Sequence, residues 1–366
     1  MRNIQLRQII LILLIICIII VKITHCMGLF YTTHMYPVIA STLSVLTSNI
    51  PVPIGDIFIT ASIVWIIVYV ILGIFKENYS YKKALIRVTE YLAWVYVWFY
   101  AAWGLNYSQP NIFMRMRMPM AQVSVNDFKR FADQYADSIN SAYDEYKSLH
   151  AQTNRNIDNI SYGQYREYIK LTIPNLYATL TSKNNNTGIN NPFCRQVPAK
   201  TMLFSKLSSM TGVTGSMAPF FSEFTLNSDL QPHEYPATFA HEYAHFLGIA
   251  NEGEANFYSY VVCTSSSDSG IRFSGYYNIL RHVLANVRTL LGEIEYKEYL
   301  KQINPDIIRL YLHDRKYWTS KRCVMLDSAQ SFIYNLYLHG NHVDSGLKSY
   351  SEVIAIIIAY KQTMRH

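Results

Sequence analysis

Two histidines four residues apart, with a glutamate directly after the first, stand in the stretch "TFAHEYAHFLGIANEGEANF". On a helix, His241 and His245 project from one face about a turn apart, so both imidazoles can reach a single ion, and zinc accepts imidazole nitrogen readily. Glu242 then falls beside the open coordination position rather than on the ion. From there it can take a proton from a metal-activated water and deliver it to a leaving amine. The bland alternative is a helix whose histidines only pack or face solvent.

A third protein ligand is needed, and Glu252, seven residues after His245 across the turn "FLGIAN", is the first candidate. Asn256 lies four residues further on the same helical face, where it can hydrogen-bond a ligating histidine or the carboxylate and fix its orientation. Glu254 competes for the ligand role. It is about 200° round a helix from Glu252, so the two are not expected to ligate together. Asn251 is a weaker third choice, because an amide oxygen is a poor zinc ligand. Tyr276 or Tyr277, with Arg272 nearby, are candidate donors to an oxyanion. Tyrosine is abundant at 30 residues, however, which favours plain aromatic packing for both. His233, His282, His339 and His342 have no ligand spacing to the motif and read as structural or exposed.

The elements that must position these residues are punctuated clearly. Pro236 is tolerated in a first turn and Gly248 is a natural stop, which predicts a helix carrying both histidines. A second helix is expected from about Asn251 through "EGEANFYSYVVC". Before them, Gly212 to Asn227 reads as one or two strands with turns at Gly212 and Gly215. The spacing from Ser124 predicts a long helix capped by Ser124 or Asn126. Tyr162–Leu180 reads as a helix kinked or split at Pro174, and 181–192 as a surface loop. Further helices are expected over Tyr277–Leu291, Ser328–Leu338 and Tyr350–Tyr360.

Half of the 366 residues are hydrophobic and 16% are charged, an imbalance concentrated in the first hundred. Ile9–Val21 is a short uncharged run that Lys22 can extend by snorkelling. It lacks a small-residue cleavage site and "ITHC" is a poor lipobox, so an uncleaved anchor is preferred to a signal peptide. Ile57–Phe75 matches the hydrocarbon thickness, and the Trp- and Tyr-rich Tyr91–Tyr107 fits a third span. Arg2 and Arg7, and Lys76, Lys82, Lys83 and Arg87, put the N-terminus and the second connection in the cytoplasm. The expectation is a multi-pass cell-membrane protein: residues 1–108 form the membrane domain with three spans, and 109–366 an extracytoplasmic domain. The net charge of +7 contains no basic run with interleaved aromatics, so no nucleic acid partner is implied. Five scattered cysteines exclude a disulfide scaffold or a thiolate zinc knuckle.

The motif resembles the zincin metallopeptidases and, more narrowly, the gluzincins. Glu252, Ala255 and Asn256 stand where several of these have their glutamate ligand, an alanine and an aspartate, and "NEGEA" looks like the glutamate motif of the membrane alanyl aminopeptidase group. Asn256 replaces the aspartate, and the interval between the two motifs is shorter than most gluzincins have. "HEYAHFLG" is also similar to the metzincin helix and its glycine, with Asn251 where that family has a third histidine. Taken whole, the chain resembles a bacterial family of unknown function with three N-terminal membrane helices and an outer zinc-peptidase-like domain. The resemblance implies a mainly α fold: N-terminal transmembrane helices, then a zincin-like α+β domain with a small sheet and a metal-binding helix pair. It implies zinc on His241, His245 and Glu252, Glu242 as general base, a peptide or protein substrate, and Ser216–Thr225 as an edge strand aligning the substrate backbone. Two other readings stand beside it. One is a catalytically inactive zincin-scaffold module binding peptide or cell-wall ligands; the other is an intramembrane protease, for which the apolar stretch around His241 is too short.

Overall fold

A computed structural model of the chain describes residues 6–25, 27–75, 80–119, 123–152, 162–183, 187–194, 197–326, 328 and 351–364. Arg2, Cys26, Lys76, His339, His342 and, apart from Ser328, the helix expected over Ser328–Leu338 lie outside the described residues. The chain divides into two compact units. The first comprises Met1–Pro110, Phe193–Leu203 and Met217–Thr225, and the second Asn111–Pro192, Phe204–Ser216 and Leu226–His366.

In the first unit, α1 (Leu6–Thr24) and α4 (Ile54–Ile74) are long and apolar enough to cross a membrane. Their side chains do not build a core: 11% of the apolar window of α1 and 6% of that of α4 are buried. An apolar helix that leaves its side chains exposed suits a lipid surround, where helical backbone satisfies its own hydrogen bonds. The third expected span, Tyr91–Tyr107, falls on α5 (Tyr81–Ala102), which carries Lys82, Lys83, Arg87 and Glu90 in its first half and is followed by a 3₁₀ turn, Gly104–Ser108. α1 and α5 run in the same direction. Arg7 pairs with Glu90 at 3.0 Å, Leu11 and Ile18 pack with Val97 and Tyr100, and Lys22 Nζ donates to the Tyr100 hydroxyl at 2.8 Å. α4 runs opposite to α5, with the Ser62 and Tyr91 hydroxyls 2.6 Å apart and Arg87 donating to Tyr69 Oη at 3.3 Å. Between α1 and α4 the sequence reading assigns no helix. The chain there is nonetheless helical, as α2 (Gly28–Phe30), a π-helical turn (Tyr31–Met35) and α3 (Tyr36–Ser48). Tyr31 and Thr32 fasten it to the end of α5 through Ala101 O and Asn106 Oδ1, both at 2.9 Å.

A three-stranded sheet is built from β1 (Ala199–Thr201), β2 (Gly215–Ala218) and β3 (Glu223–Leu226) in the order β1-β3-β2, which leaves β2 on an edge. β2 and β3 answer the strands expected between Gly212 and Asn227. Gly212 does turn the chain, with φ +74°, but Gly215 begins a strand rather than a turn. β1 has no counterpart in the sequence reading, since three residues carry no periodicity. The fully buried Glu223 on β3 accepts from the Gly55 amide at 2.6 Å, at the start of α4, and pairs with Lys200 Nζ at 2.5 Å. Lys200 also donates to Val52 O at 2.9 Å. An anion at a helix N-terminus is favoured by the helix dipole, and here a buried lysine neutralises it as well.

The second unit is mainly helical: α6 (Ile112–Arg115), α7 (Val125–Gln152), α8 (Tyr162–Lys183), α9 (Ser205–Met210), α10 (Tyr235–Phe246), α11 (Glu252–Thr264), α12 (Ser269–Asn286), α13 (Glu293–Gln302), α14 (Pro305–Lys321) and α15 (Glu352–Thr363). Ser124, not Asn126, caps α7: its hydroxyl accepts from the Asp127 amide at 3.1 Å while Asp127 accepts from the Ser124 amide at 3.3 Å. α8 is not split at Pro174. Ile169, Ile173 and Tyr177 are buried along it, and the Tyr177 hydroxyl donates to Ala240 O on α10 at 2.8 Å, so tertiary contacts hold the helix through the proline. α12 begins eight residues before the expected Tyr277, capped by Asp268, and continues as a π-helical turn over Val287–Leu291. Cys17, Cys194, Cys263 and Cys323 are free thiols.

Glu223→Ala is expected to leave Lys200 buried without its counter-charge, a loss of about 3–5 kcal/mol. Thermal unfolding of the intact chain in detergent checks this; an unchanged midpoint contradicts it.

Candidate metal centre

α10 starts where Pro236 sets its first turn, and the orphan Ala237 amide is satisfied by Ser274 Oγ on α12 at 3.1 Å. It ends at Gly248, whose φ of +100° suits glycine. Gly248 N–H donates to His245 O at 3.0 Å and Ile249 N–H to Ala244 O at 3.1 Å, the two bonds of a Schellman turn. This turn also sets a ligand, because the Ile249 carbonyl it presents accepts from His245 Nδ1 at 2.7 Å. Asn251 then caps α11, its Oδ1 accepting from the Glu254 amide at 2.8 Å. Its Nδ2 donates to Glu352 at 3.0 Å, so Asn251 serves the helix start and not the cluster.

The compact reversal brings Glu252, the first residue of α11, back to α10. Glu252 Oε2 lies 3.1 Å from His241 Nε2 and 3.6 Å from His245 Nε2, and the two Nε2 atoms are 3.1 Å apart. A tetrahedral zinc with bonds of about 2.0–2.1 Å holds its ligand atoms about 3.3 Å apart, so the three separations bracket the edges of such a site. Among the described residues this is the group of His, Cys, Asp and Glu with metal-binding geometry. His241 Nδ1 is 3.1 Å from Asn256 Oδ1, which also receives Asn278 Nδ2 at 3.5 Å. With both Nδ1 atoms donating to oxygen acceptors, both Nε2 atoms are left to face the carboxylate. Glu254 points elsewhere: it is buried, pairs with Arg115 at 2.5 Å and accepts from the Ile112 amide at 2.8 Å.

Electrostatics agree with a cation site. Burial acts to lower the His245 pKa, but the Glu252 carboxylate beside it prevails and pushes it up to about 9. Burial acts to raise Glu252, yet the two histidines hold it well below the usual carboxylate range. The Glu252 side chain is half exposed while closely surrounded by protein atoms, as expected at the floor of an open cleft. Glu242 is buried, and its pKa is raised by that burial against the opposing pull of His241 and His245. Its Oε2 has no hydrogen-bond partner among the described residues. A buried carboxylate oxygen without a partner is costly. Gly215 at the start of β2 makes the room: a Cβ there would lie 2.3 Å from Glu242 Oε1.

A cleft of about 430 Å³ lies one helical turn along α10 from the cluster. Its wall on α10 includes Thr238, one turn before His241; its wall on α12 includes Asn278, which touches Asn256, and Arg281. α14 adds Arg315 and Trp318, and Thr214 borders it just before Gly215. These residues were not singled out in the sequence, although Asn278 and Arg281, like Arg315 and Trp318, are spaced three apart as one helix face requires. The residues that were singled out as oxyanion donors do other work. Tyr277 donates to Asp314 at 2.5 Å, Tyr276 packs edge-to-face with Tyr135 and Tyr260, and Arg272 bonds Glu145 and Ser266 O. His233 pairs with Asp314 at 2.7 Å. His282 Nδ1 is 2.9 Å from Ser351 Oγ; burial first, then Arg281, lowers its pKa to about 3, so the ring is neutral.

The fold and site thus define a mainly helical protein with two membrane-length helices and a His–His–Glu cluster on a helix–turn–helix pair. The chain belongs to the family described as "Protein of unknown function (DUF3810)", which matches residues 31–358. No curated protein and no solved structure matches it.

Asn256→Ala is expected to weaken zinc binding about 10–100-fold by freeing the His241 ring. Competition titration against a chelator of known affinity measures this; wild-type affinity in the variant would contradict the assigned role.

Proposed function

We propose that the protein is a membrane-anchored, zinc-dependent metallopeptidase. The observation that carries the reading is the convergence of His241 Nε2, His245 Nε2 and Glu252 Oε2 at 3.1–3.6 Å, with both Nδ1 atoms tied to acceptors. These three residues would hold zinc, which supplies Lewis acidity toward a water and toward the scissile carbonyl. Glu242 receives the proton on its unpartnered Oε2 and returns it to the departing amine, and its burial raises its basicity for that task. Gly215 lets the carboxylate lie flat against β2, whose edge position suits it to align an extended peptide backbone. Asn256 and the Ile249 carbonyl hold the imidazoles in register.

For the membrane part we propose three spans, α1, α4 and the aromatic half of α5. The directions of the helices support this: α1 and α5 run together and α4 opposite, which gathers Arg7, Lys82, Lys83 and Arg87 at one end. Positive residues at that end favour the cytoplasmic side, so the chain that follows α5 is assigned to the outer side.

Glu242→Gln is expected to keep the metal and to lower peptide hydrolysis by about 10²–10⁴-fold, the contribution of a positioned proton carrier. Mass spectrometry of a peptide mixture incubated with wild type and variant reads this out. Equal product from the two, or none from the zinc-loaded wild type, sinks the reading and leaves a binding module instead.

A further inference from the structure

The cleft beside the cluster is unevenly charged. Glu234 and Asp314 line it, but their carboxylates are satisfied internally: Glu234 accepts from Trp318 Nε1 at 2.9 Å and from the Gln231 amide at 3.1 Å, and Asp314 is held by His233 and Tyr277. Two of the guanidinium groups that line it, Arg281 and Arg315, are not matched in this way. Among the described residues, Arg281 and Arg315 have no carboxylate within ion-pair distance: Arg281 Nε bonds the neutral His282 ring at 3.2 Å, and Arg315 lies 5.9 Å from the centre of the Tyr311 ring.

Arg281 is also well placed. It lies on the face of α12 that carries Asn278, the neighbour of Asn256, and it is near enough to Glu252 for the two charges to interact. The bond from Arg281 Nε to His282 Nε2, itself braced at Nδ1 by Ser351 Oγ, fixes one edge of the guanidinium and leaves the Nη pair to grip a ligand. A planar fork of two N–H donors matches a carboxylate bidentately. A peptide lying along β2 past Glu242 has the cleft lined by Thr214 and Thr238 directly at hand.

Resting on the peptidase reading, we propose that this cleft is the subsite for a carboxylate of the substrate. Arg281 is its forked partner and Arg315 its second cation. The protein therefore selects peptides with an acidic side chain, or a free C-terminus, within a residue or two of the bond to be cut.

The test uses the intact chain in detergent micelles, carrying Glu242→Gln to prevent turnover, and three unlabelled tetrapeptides. One is blocked at both ends with a central glutamate, one is the same with glutamine, and one is the glutamine peptide with a free C-terminal carboxylate. At least one carboxylate peptide is expected to bind tenfold or more tighter than the neutral one, about 1.4 kcal/mol. Which of the two gains identifies the side chain or the chain terminus as the source. Adding Arg281→Gln is expected to erase the difference, and Arg281→Lys to restore part of it. Equal binding of all three peptides, no binding of any, or discrimination that survives Arg281→Gln would each overturn the proposal. The two readings fail separately. Discrimination without hydrolysis by the zinc-loaded wild type removes the peptidase and keeps the subsite; hydrolysis without discrimination does the reverse.

Discussion

The site depends on the chain reversal between Phe246 and Asn251. Six residues end one helix, turn, and start another close enough for the first residue of α11 to meet two histidines of α10. A left-handed Gly248 makes the reversal possible, and the Schellman bonds to His245 O and Ala244 O make it rigid. The same turn aims the Ile249 carbonyl at His245 Nδ1, so helix termination and ligand orientation are one event. A β-branched residue at Gly248 would strain the turn and displace both.

The reversal is held from outside by groups that are not ligands. Glu254, in the first turn of α11, is tied to Arg115 and the Ile112 amide, and Asn251 is tied to Glu352 at the start of α15. These three polar contacts thus fix the position and pitch of α11 before Glu252 is considered. Tyr177 and Ser259 add bonds to the α10 carbonyls of Ala240 and Ala237, at 2.8 and 2.7 Å. The cluster atoms stand on helices held in this way, while the Glu252 side chain remains half exposed. Rigid ligands beside an open position are what the proposed catalytic site requires, in contrast to a closed structural zinc site.

What was legible in the sequence was local. The four-residue histidine spacing, Pro236 and Gly248 as punctuation, and Asn256 one turn from Glu252 all depend on neighbours within a helix or two. The apolar runs that became α1 and α4 were legible for the same reason. The choice between Glu252 and Glu254 was not, because it turns on Arg115, 139 residues away. Helix 36–48 was missed because it has little charge patterning, and Glu223 because its partners Lys200 and Gly55 come from distant segments. The cleft was illegible too: its walls come from the loop before β2, α10, α12 and α14, and no single stretch spells it.

The central claim is that His241, His245 and Glu252 hold one zinc ion. Elemental analysis of the intact chain, purified without chelators, tests it most directly, with Glu252→Ala and Glu254→Ala prepared in parallel. The account predicts about one zinc per chain in the wild type, little or none in Glu252→Ala, and zinc retained by folded Glu254→Ala. A fully folded wild type without zinc, even after exposure to it, would contradict the account.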